Sequence, residues 1–311
     1  MSVSNRIKKL FRKPRAVILM YHRIADTLTD PWQLSVNPEN FESHLKVLQE
    51  YEVKPLGEIV EELKNGSLRK NCIGVSFDDG YEDNLLNAVP LLKKFQLPAT
   101  FFIPSGSVGD GPFWWDVLVE ILYTSKTLPS TFETVIGTEK VKFDFQHDRE
   151  KSFYDFWSKL RDQSPETIKE SIAGLIAWSG IKIENIDGNF PITLEQLKHM
   201  SSEKLLSIGV HTVNHPALAT LPKAAQEREL LDCKRYLDQH LGNHHDMVAF
   251  PYGNYNEETL KIVAQNNFKV AFTTEQKSAS SLSNLYQVGR FQVVNQSGDE
   301  LRSNIKKWFN Q

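Results

Sequence analysis

Two cysteines, Cys72 and Cys233, are all that the 311-residue chain contains, and neither lies near a second Cys or a His at zinc-finger spacing. A disulfide scaffold and a zinc finger are therefore excluded, and we expect two buried thiols in a reducing compartment. The chain also lacks an apolar run of the roughly 18 residues that a membrane span requires. Its net charge of only −3 argues against a protein whose main partner is nucleic acid.

Three motifs of common enzyme classes are absent as well. The sequence contains no Gly-x-Ser-x-Gly elbow, no P-loop and no Gly-x-Gly-x-x-Gly turn. It therefore offers no support for a serine hydrolase of that type, a nucleoside triphosphatase or a dinucleotide-binding enzyme. Neither cysteine has an evident base beside it, so a thiol nucleophile is not supported either.

The N-terminal segment, residues 1–14, is basic, and no acidic residue occurs before Asp26. The apolar stretch that follows, Ala16 to Tyr21, is too short for the core of a signal peptide, and no small-residue cleavage site follows it. We therefore expect a cytoplasmic protein. The basic segment is either a solvated terminus or a peripheral contact with anionic lipid at the inner face of the membrane.

Short apolar runs alternate with amphipathic stretches through most of the chain, which is typical of an α/β protein with a mainly parallel sheet. About seven strand–helix units favour a barrel over an open sheet, although periodicity alone does not decide between them. Strands are predicted at Ala16–His22, Cys72–Phe77, Ala99–Pro104, Leu206–Val210, Met247–Phe250, Val270–Thr273 and Val288–Val294. Helices are predicted at Asn37–Tyr51, Glu82–Phe95 (with Pro90 bending or breaking it), Leu194–Met200, Ala224–Leu241, Glu257–Asn267 and Gly298–Phe309.

This alternation is interrupted at about residues 105–190. Helical patterns around Trp114–Ser125, Asp148–Arg161 and Glu166–Trp178 surround a polar part that includes the strand-like piece Glu139–Phe145. We interpret residues 15–311 as a single domain that carries 105–190 as a largely helical insertion.

The first candidate site residues follow the second predicted strand. Asp78 and Asp79 are adjacent, so their charges repel each other and resist burial unless a cation compensates them. Adjacent side chains of an extended segment point in opposite directions, which lets one carboxylate bind a metal while the other faces another part of the site. The alternative is structural, a strand-to-helix turn in which Asp caps the helix and Gly80 makes the turn.

His211 and His215 follow another predicted strand. Two histidines four residues apart can reach one metal ion in a tight turn, and Pro216 favours a turn because it disfavours α conformation at the preceding residue. The alternative is two unrelated histidines. Together with one Asp, the pair forms the three-ligand set of a catalytic Zn²⁺ site, beside a spare carboxylate that can take a proton from water.

Three segments in this order resemble the motifs of the polysaccharide deacetylases, the NodB-homology family or carbohydrate esterase family 4. Ser76–Gly80 (SFDDG) resembles the family's Thr-Phe-Asp-Asp-Gly, and His211–His215 (HTVNH) resembles its His-Ser/Thr-x-x-His. Pro251–Gly253 (PYG) resembles the end of its Arg-x-Pro-Tyr/Phe motif. The resemblance covers about residues 15–104 and 190–295, and the three motifs in order are highly specific.

The resemblance implies a distorted barrel and metal-dependent removal of acetyl from an N-acetylated sugar. By matching position, Asp78 would be the general base, and Asp79, His211 and His215 would hold the metal. The backbone N–H of Tyr252 would help to bind the oxyanion. Zn²⁺ suits this ligand set best, and Co²⁺, Ni²⁺ or Mn²⁺ fit it as well.

The sequence departs from the family pattern at two places. The motif's Arg position is Ala249, so we expect the cation beside the base to be Arg290 or, second, Arg23. No His occurs after His245, so the usual C-terminal general acid is missing. His22, at the end of the first strand, is the candidate for that role, and a structural histidine is the alternative.

The insertion contains the aromatic segment Phe113-Trp114-Trp115-Asp116. Trp115 could stack on a sugar ring while Asp116 binds a hydroxyl, and Arg290 is a further candidate for substrate contact. The alternative is a hydrophobic anchor that packs the insertion on the barrel.

The sequence thus predicts a hydrolase that removes N-acetyl groups from an amino sugar. A nucleotide- or lipid-linked intermediate of cell-surface glycan synthesis is the expected substrate, because no signal peptide is evident. Two alternatives stay open. One is hydrolysis of another non-peptide C–N bond or of an O-acetyl ester on the same scaffold, and the other is a non-catalytic glycan-binding module.

Overall fold

A computed structural model describes residues 13–125, 128–145, 147–182, 190–242 and 244–311. The predicted basic segment lies almost entirely outside these residues. The strands are β1 (Ala16–Tyr21), β2 (Arg23–Ile24), β3 (Ser35–Val36), β4 (Glu52–Val53), β5 (Cys72–Phe77), β6 (Ala99–Ile103), β7 (Thr131–Ile136), β8 (Glu139–Asp144), β9 (Leu206–Val210), β10 (Met247–Ala249), β11 (Val270–Phe272) and β12 (Phe291–Gln292). The helices are α1 (Pro38–Leu48), α2 (Leu56–Lys64), α3 (Val89–Phe95), α4 (Trp114–Val119), α5 (Arg149–Arg161), α6 (Pro165–Ser179), α7 (Leu194–Ser201), α8 (Lys223–Leu241), α9 (Glu257–Gln265) and α10 (Gly298–Trp308).

The centre of the molecule is a curled sheet in the order β11-β10-β9-β6-β5-β1-β12, with β4 as an additional strand beside β5. All of its strand pairs are parallel. The prediction of a distorted (β/α) barrel with about seven parallel strands is confirmed. The carboxyl ends of parallel strands meet at one edge of a sheet, which is where α/β proteins place their sites.

The strands β1 and β5 are apolar because both of their faces are covered. Every residue of the two strands is buried, and they pair along their full length from Ala16↔Cys72 to Tyr21↔Phe77. Phe77 stacks on Phe101 of β6 at 4.7 Å between ring centroids. This packing fixes the end of β5, from which the two adjacent aspartates continue.

One predicted helix is interrupted near Pro90 as expected, and one predicted strand differs from the structure. The stretch around Pro90 is a π-helical turn, Asn84–Ala88, followed by α3, because proline has no N–H to donate and its ring crowds the carbonyl four residues earlier. The predicted strand Val288–Val294 is reduced to β12. Val288 pairs with Phe272 at one end of the sheet, whereas Phe291 pairs with Leu19 at the other. The segment therefore crosses between the two ends of the curled sheet and carries Arg290 between them.

Between β6 and α7 lie α4, α5, α6 and the antiparallel hairpin β7–β8. These elements share a cluster of buried side chains of their own, which includes Leu118, Phe132, Phe143, Phe153 and Phe156. The division of the chain into one domain with an insertion stays a prediction, and residues 183–189 lie outside the described part.

Both cysteines are buried and free, as expected. No helix among the described residues is long and apolar enough to cross a membrane.

The packing of β9 generates a stability prediction. A Cβ added at Gly209 would overlap the ring of Phe102 and stand 3.2 Å from the carbonyl oxygen of Met247. We expect Gly209→Ala to lower the free energy of unfolding by about 1–3 kcal/mol, measured by urea denaturation, because backbone and a buried ring cannot move aside. Gly57→Ala is the control, since a Cβ there meets nothing within 4 Å. Equal stability of the two variants would show that this close packing does not matter.

Candidate active site

The predicted metal ligands come together where β5 and β9 end. Asp79 Oδ1 lies 3.4 Å from His211 Nε2 and 3.2 Å from His215 Nε2. One ligand atom from each residue lies within 4.8 Å of the other two. All three side chains are buried, with 1–6% of their surface exposed. The two sequence signals therefore form one cluster.

The chemistry of this cluster fits a divalent metal ion. Asp79 Oδ1 is buried and has no hydrogen-bond partner among the described residues, which is costly unless another group satisfies it. His211 Nδ1 lies 2.8 Å from the carbonyl oxygen of Ala249, which can only accept. That nitrogen therefore carries a proton, and in the neutral imidazole Nε2 presents a lone pair towards Asp79. One carboxylate oxygen and two imidazole nitrogens are ligands that Zn²⁺ and similar ions bind.

Asp78 is bound to Arg290 rather than to the histidines. Arg290 Nη1 and Nη2 each donate to one oxygen of Asp78 at 2.7 Å, and Nε donates to the carbonyl oxygen of Thr273 at 3.2 Å. Burial alone would raise the pKa of Asp78, but the guanidinium beside it holds that pKa below its usual range. The side chain is therefore an anion, and each oxygen keeps a second lone pair. This pairing supplies the cation that is missing at Ala249.

Four residues at the strand ends of this cluster have a left-handed backbone. Asp79, Thr212, His215 and Tyr252 have φ between 56° and 71°, and they make up four of the seven non-glycine residues with positive φ in the described chain. Such conformations cost on the order of 1 kcal/mol each and persist only where surrounding contacts impose them. Backbone strain is therefore concentrated at the candidate site.

Glu229 of α8 holds the loop that carries the two histidines, and sequence reasoning did not find it. Its Oε2 accepts from the backbone N–H groups of Val213 and Asn214 at 2.9 and 2.8 Å, and its Oε1 accepts from Asn214 Nδ2 at 2.7 Å. The carboxylate is buried. The sequence signal was weak, an acid next to the apolar stripe of an amphipathic helix.

His22 and Tyr252, the other proposed participants, also lie at this site. His22 is half-buried and lies close enough to Asp78 and Asp79 to interact electrostatically with both. The ring of Tyr252 lies 4.6 Å from the ring of His215. The structure therefore places Tyr252 beside the cluster of Asp79, His211 and His215.

The three candidates for substrate contact are all buried. Arg290 has no exposed surface and is committed to Asp78. Trp115 and Asp116 are only 5% and 8% exposed, and they are joined through Tyr81. Arg23, the second candidate for the cation beside the base, is paired with Asp83 at 2.9 Å instead.

Comparison with known proteins gives consistent results. The model of the polysaccharide deacetylase family matches residues 65–128 and 175–271, together about half of the chain. YxkH of Bacillus subtilis, assigned by name to the polysaccharide deacetylases, is 25% identical over 279 residues, which cover 89% of this chain and 70% of that protein. The poly-beta-1,6-N-acetyl-D-glucosamine N-deacetylase of Staphylococcus aureus is 23% identical over 316 residues, covering 97% and 86%. The deacetylase PplD of Streptococcus pyogenes, solved with acetate, superimposes with a TM-score of 0.63 at 24% identity, covering 94% and 98%.

The contacts of Glu229 generate a local prediction. In Glu229→Gln an amide replaces a carboxylate that accepts three hydrogen bonds, so at least one bond to a charged acceptor is lost, each worth about 1.5–3 kcal/mol. We expect the backbone amides of Val213 and Asn214 to exchange with deuterium faster than in the wild type. Glu227→Gln on the same helix is the control and should leave these rates unchanged. Unchanged exchange in Glu229→Gln would mean that the loop does not depend on this carboxylate.

Proposed function

The chain belongs to the polysaccharide deacetylase family, and from that premise we propose that it hydrolyses the acetamide of an N-acetylated amino sugar with the help of a divalent metal ion. The observation that carries the proposal is the different environment of two adjacent aspartates. Asp79 faces two histidines, whereas Asp78 faces Arg290. This arrangement supplies a metal-binding group and a separate, ionised base at one place.

Asp79, His211 and His215 would hold the metal, which we propose to be Zn²⁺, with Co²⁺, Ni²⁺ or Mn²⁺ as ions that the same donors accept. The chemistry that such an ion supplies is Lewis acidity towards the amide carbonyl and an attacking water. The proposal of Zn²⁺ rests on the donor set alone, so a metal analysis of the purified protein tests it.

Asp78 is proposed to act as the general base. It is ionised at neutral pH because Arg290 counters the effect of burial on its pKa. Each of its oxygens accepts one hydrogen bond from the guanidinium and can accept a second from water. The guanidinium also fixes the direction of the carboxylate, so the proton is taken at a defined position.

The remaining two groups act on the oxygen and nitrogen of the amide. The backbone N–H of Tyr252 is proposed to donate to the developing oxyanion, which a fixed dipole stabilises without reorganisation. His22 is proposed to protonate the departing amine, since no histidine follows His245 in the sequence. Its position near both aspartates supports this role.

The substrate and the location of the protein are proposals as well. The relative in Staphylococcus aureus is named for poly-beta-1,6-N-acetyl-D-glucosamine, which supports an N-acetylglucosamine-containing glycan. A nucleotide- or polyprenyl-linked intermediate is the substrate that we favour, with the basic segment 1–14 close to anionic lipid and the protein in the cytoplasm.

The direct test is acetate release from a panel of N-acetylhexosamine compounds that are free, nucleotide-linked, polyprenyl-linked or β-1,6-linked oligomers. Metal-reconstituted wild-type protein should release acetate from one class. Asp78→Asn should reduce the rate by about 100-fold or more, because a general base contributes about 10²–10⁴-fold. Asp232→Asn, an exposed carboxylate on α8, is the control. Metal-loaded wild-type protein that releases no acetate from any compound would contradict the proposal and favour another C–N or ester bond, or a binding module.

The Arg290–Asp78 pair predicts a shift in pH dependence. Without the guanidinium, burial raises the pKa of Asp78, so a higher pH is needed to ionise the base. In Arg290→Met the acid limb of the kcat/KM profile should move to higher pH, and in Arg290→Lys it should move less because a charge remains. Arg23→Lys alters another buried Arg–Asp pair and should leave the acid limb in place. An acid limb that stays at its wild-type pH in Arg290→Met would exclude Asp78 as the group that titrates there.

A further inference from the structure

The two metal-binding histidines are oriented in different ways. His211 donates from Nδ1 to the carbonyl oxygen of Ala249, which fixes its ring. His215 Nδ1 is buried and has no hydrogen-bond partner among the described residues. The orientation of the His215 ring therefore depends on the side chains that pack against it.

Those neighbours are aromatic, and one of them comes from the insertion. Trp115 of α4 lies 4.8 Å from the His215 ring, and Tyr252 lies 4.6 Å from it at nearly a right angle. Phe113 stacks behind Trp115 at 4.6 Å, with the two rings only 8° from parallel. The indole therefore contacts both the ring of Phe113 and the imidazole of His215.

A hydrogen-bond chain fixes the position of this indole. Trp115 Nε1 donates to Tyr81 Oη at 2.7 Å, and Tyr81 Oη donates to Asp116 Oδ2 at 2.9 Å. The direction of both hydrogen bonds is determined, because an indole N–H can only donate. The tyrosine oxygen accepts this bond, and its own O–H donates to the carboxyl group. All three side chains are buried, so each bond is strengthened by low dielectric and costly to break.

Charged groups around Tyr81 and Asp116 keep this chain of hydrogen bonds in place. The pKa of Asp116 is raised to about 7, because the effect of burial outweighs the opposing effects of Arg23 and the Tyr81 hydroxyl. The guanidinium of Arg23 lies 4.5 Å above the ring of Tyr81 and is itself paired with Asp83. Tyr81 follows Asp79 by two residues, so the same short segment carries a metal ligand and the hydroxyl that holds the insertion.

We propose that Tyr81 is a positioning residue for the metal centre: its hydroxyl holds Trp115 against His215, which makes α4 of the insertion a structural part of the metal site. The inference rests on the metal-binding function proposed above and deepens it. It also assigns a role to Phe113–Asp116, the aromatic segment that the proposed catalysis does not use.

Removal of the Tyr81 hydroxyl has a specific consequence. In Tyr81→Phe the indole N–H and the Asp116 carboxyl both lose their partner, so the indole is no longer fixed and the His215 ring can rotate. Groups that orient metal ligands typically contribute 10–100-fold in metal affinity. We therefore expect Zn²⁺ affinity, measured by competition with a chromophoric chelator, to fall by about 10-fold or more.

The experiment compares wild-type protein with Tyr81→Phe and with the control Tyr154→Phe, which removes a hydroxyl from an exposed tyrosine of α5 in the same insertion. The Co²⁺-loaded proteins are compared by visible absorption, which reports ligand geometry independently of activity. We expect weaker binding and an altered spectrum only in Tyr81→Phe. A purely structural role would lower the unfolding temperature of the metal-free variant and leave both metal readouts unchanged.

A second variant covers the case in which Tyr81→Phe does not fold. Trp115→Phe keeps an aromatic ring near His215 and removes the donor to Tyr81, and we expect a similar loss of Zn²⁺ affinity. If a folded Tyr81→Phe or Trp115→Phe variant binds Zn²⁺ as tightly as the wild-type protein does, this inference is overturned and the proposed function is not affected. Failure of the wild-type protein to bind any divalent ion would instead overturn the proposed function and this inference with it.

Discussion

The bidentate ion pair between Arg290 and Asp78 is the interaction on which the rest of the site depends. Two adjacent carboxylates at the end of a fully buried strand repel each other, and each pays a desolvation cost. Arg290 neutralises one of them at 2.7 Å and leaves Asp79 to face the histidines. Residues 288–292 cross between the two ends of the curled sheet and bring Arg290 to Asp78. The same segment therefore closes the barrel and keeps Asp78 ionised.

Around that pair, each side chain of the site is held by a different part of the molecule. The loop with both histidines is tied to α8 by Glu229, and His211 is fixed by the backbone of β10. The ring of His215 packs against aromatic rings from α4 and from the loop after β10. The strained backbone at Asp79, Thr212, His215 and Tyr252 is stabilised by these surrounding contacts. The geometry is therefore a property of the whole fold rather than of three short motifs.

Part of this arrangement could be predicted from the sequence, because strand ends in parallel sheets share one edge. Asp78, Asp79, His211, His215 and His22 were found in this way, and the family resemblance gave Tyr252 its proposed role. Long-range contacts were harder to predict. Arg290 was a candidate both for the cation and for substrate contact, and only the course of residues 288–292 decides between them. The burial of Trp115 and Asp116 and their contacts through Tyr81 could not be predicted, because a sequence does not show which side chains of an insertion are buried. The role of Glu229 could hardly be predicted, because most of its partners are backbone amides, which every sequence has.

The central claim is that the two adjacent aspartates have separate tasks, metal binding for Asp79 and proton transfer for Asp78. Calorimetric titration of Zn²⁺ into metal-free wild-type protein, Asp78→Asn and Asp79→Asn tests this division most directly. The account predicts one bound ion per chain in the wild type and in Asp78→Asn, and loss of that binding in Asp79→Asn. Binding that survives in Asp79→Asn, or that is lost in Asp78→Asn alone, would contradict it.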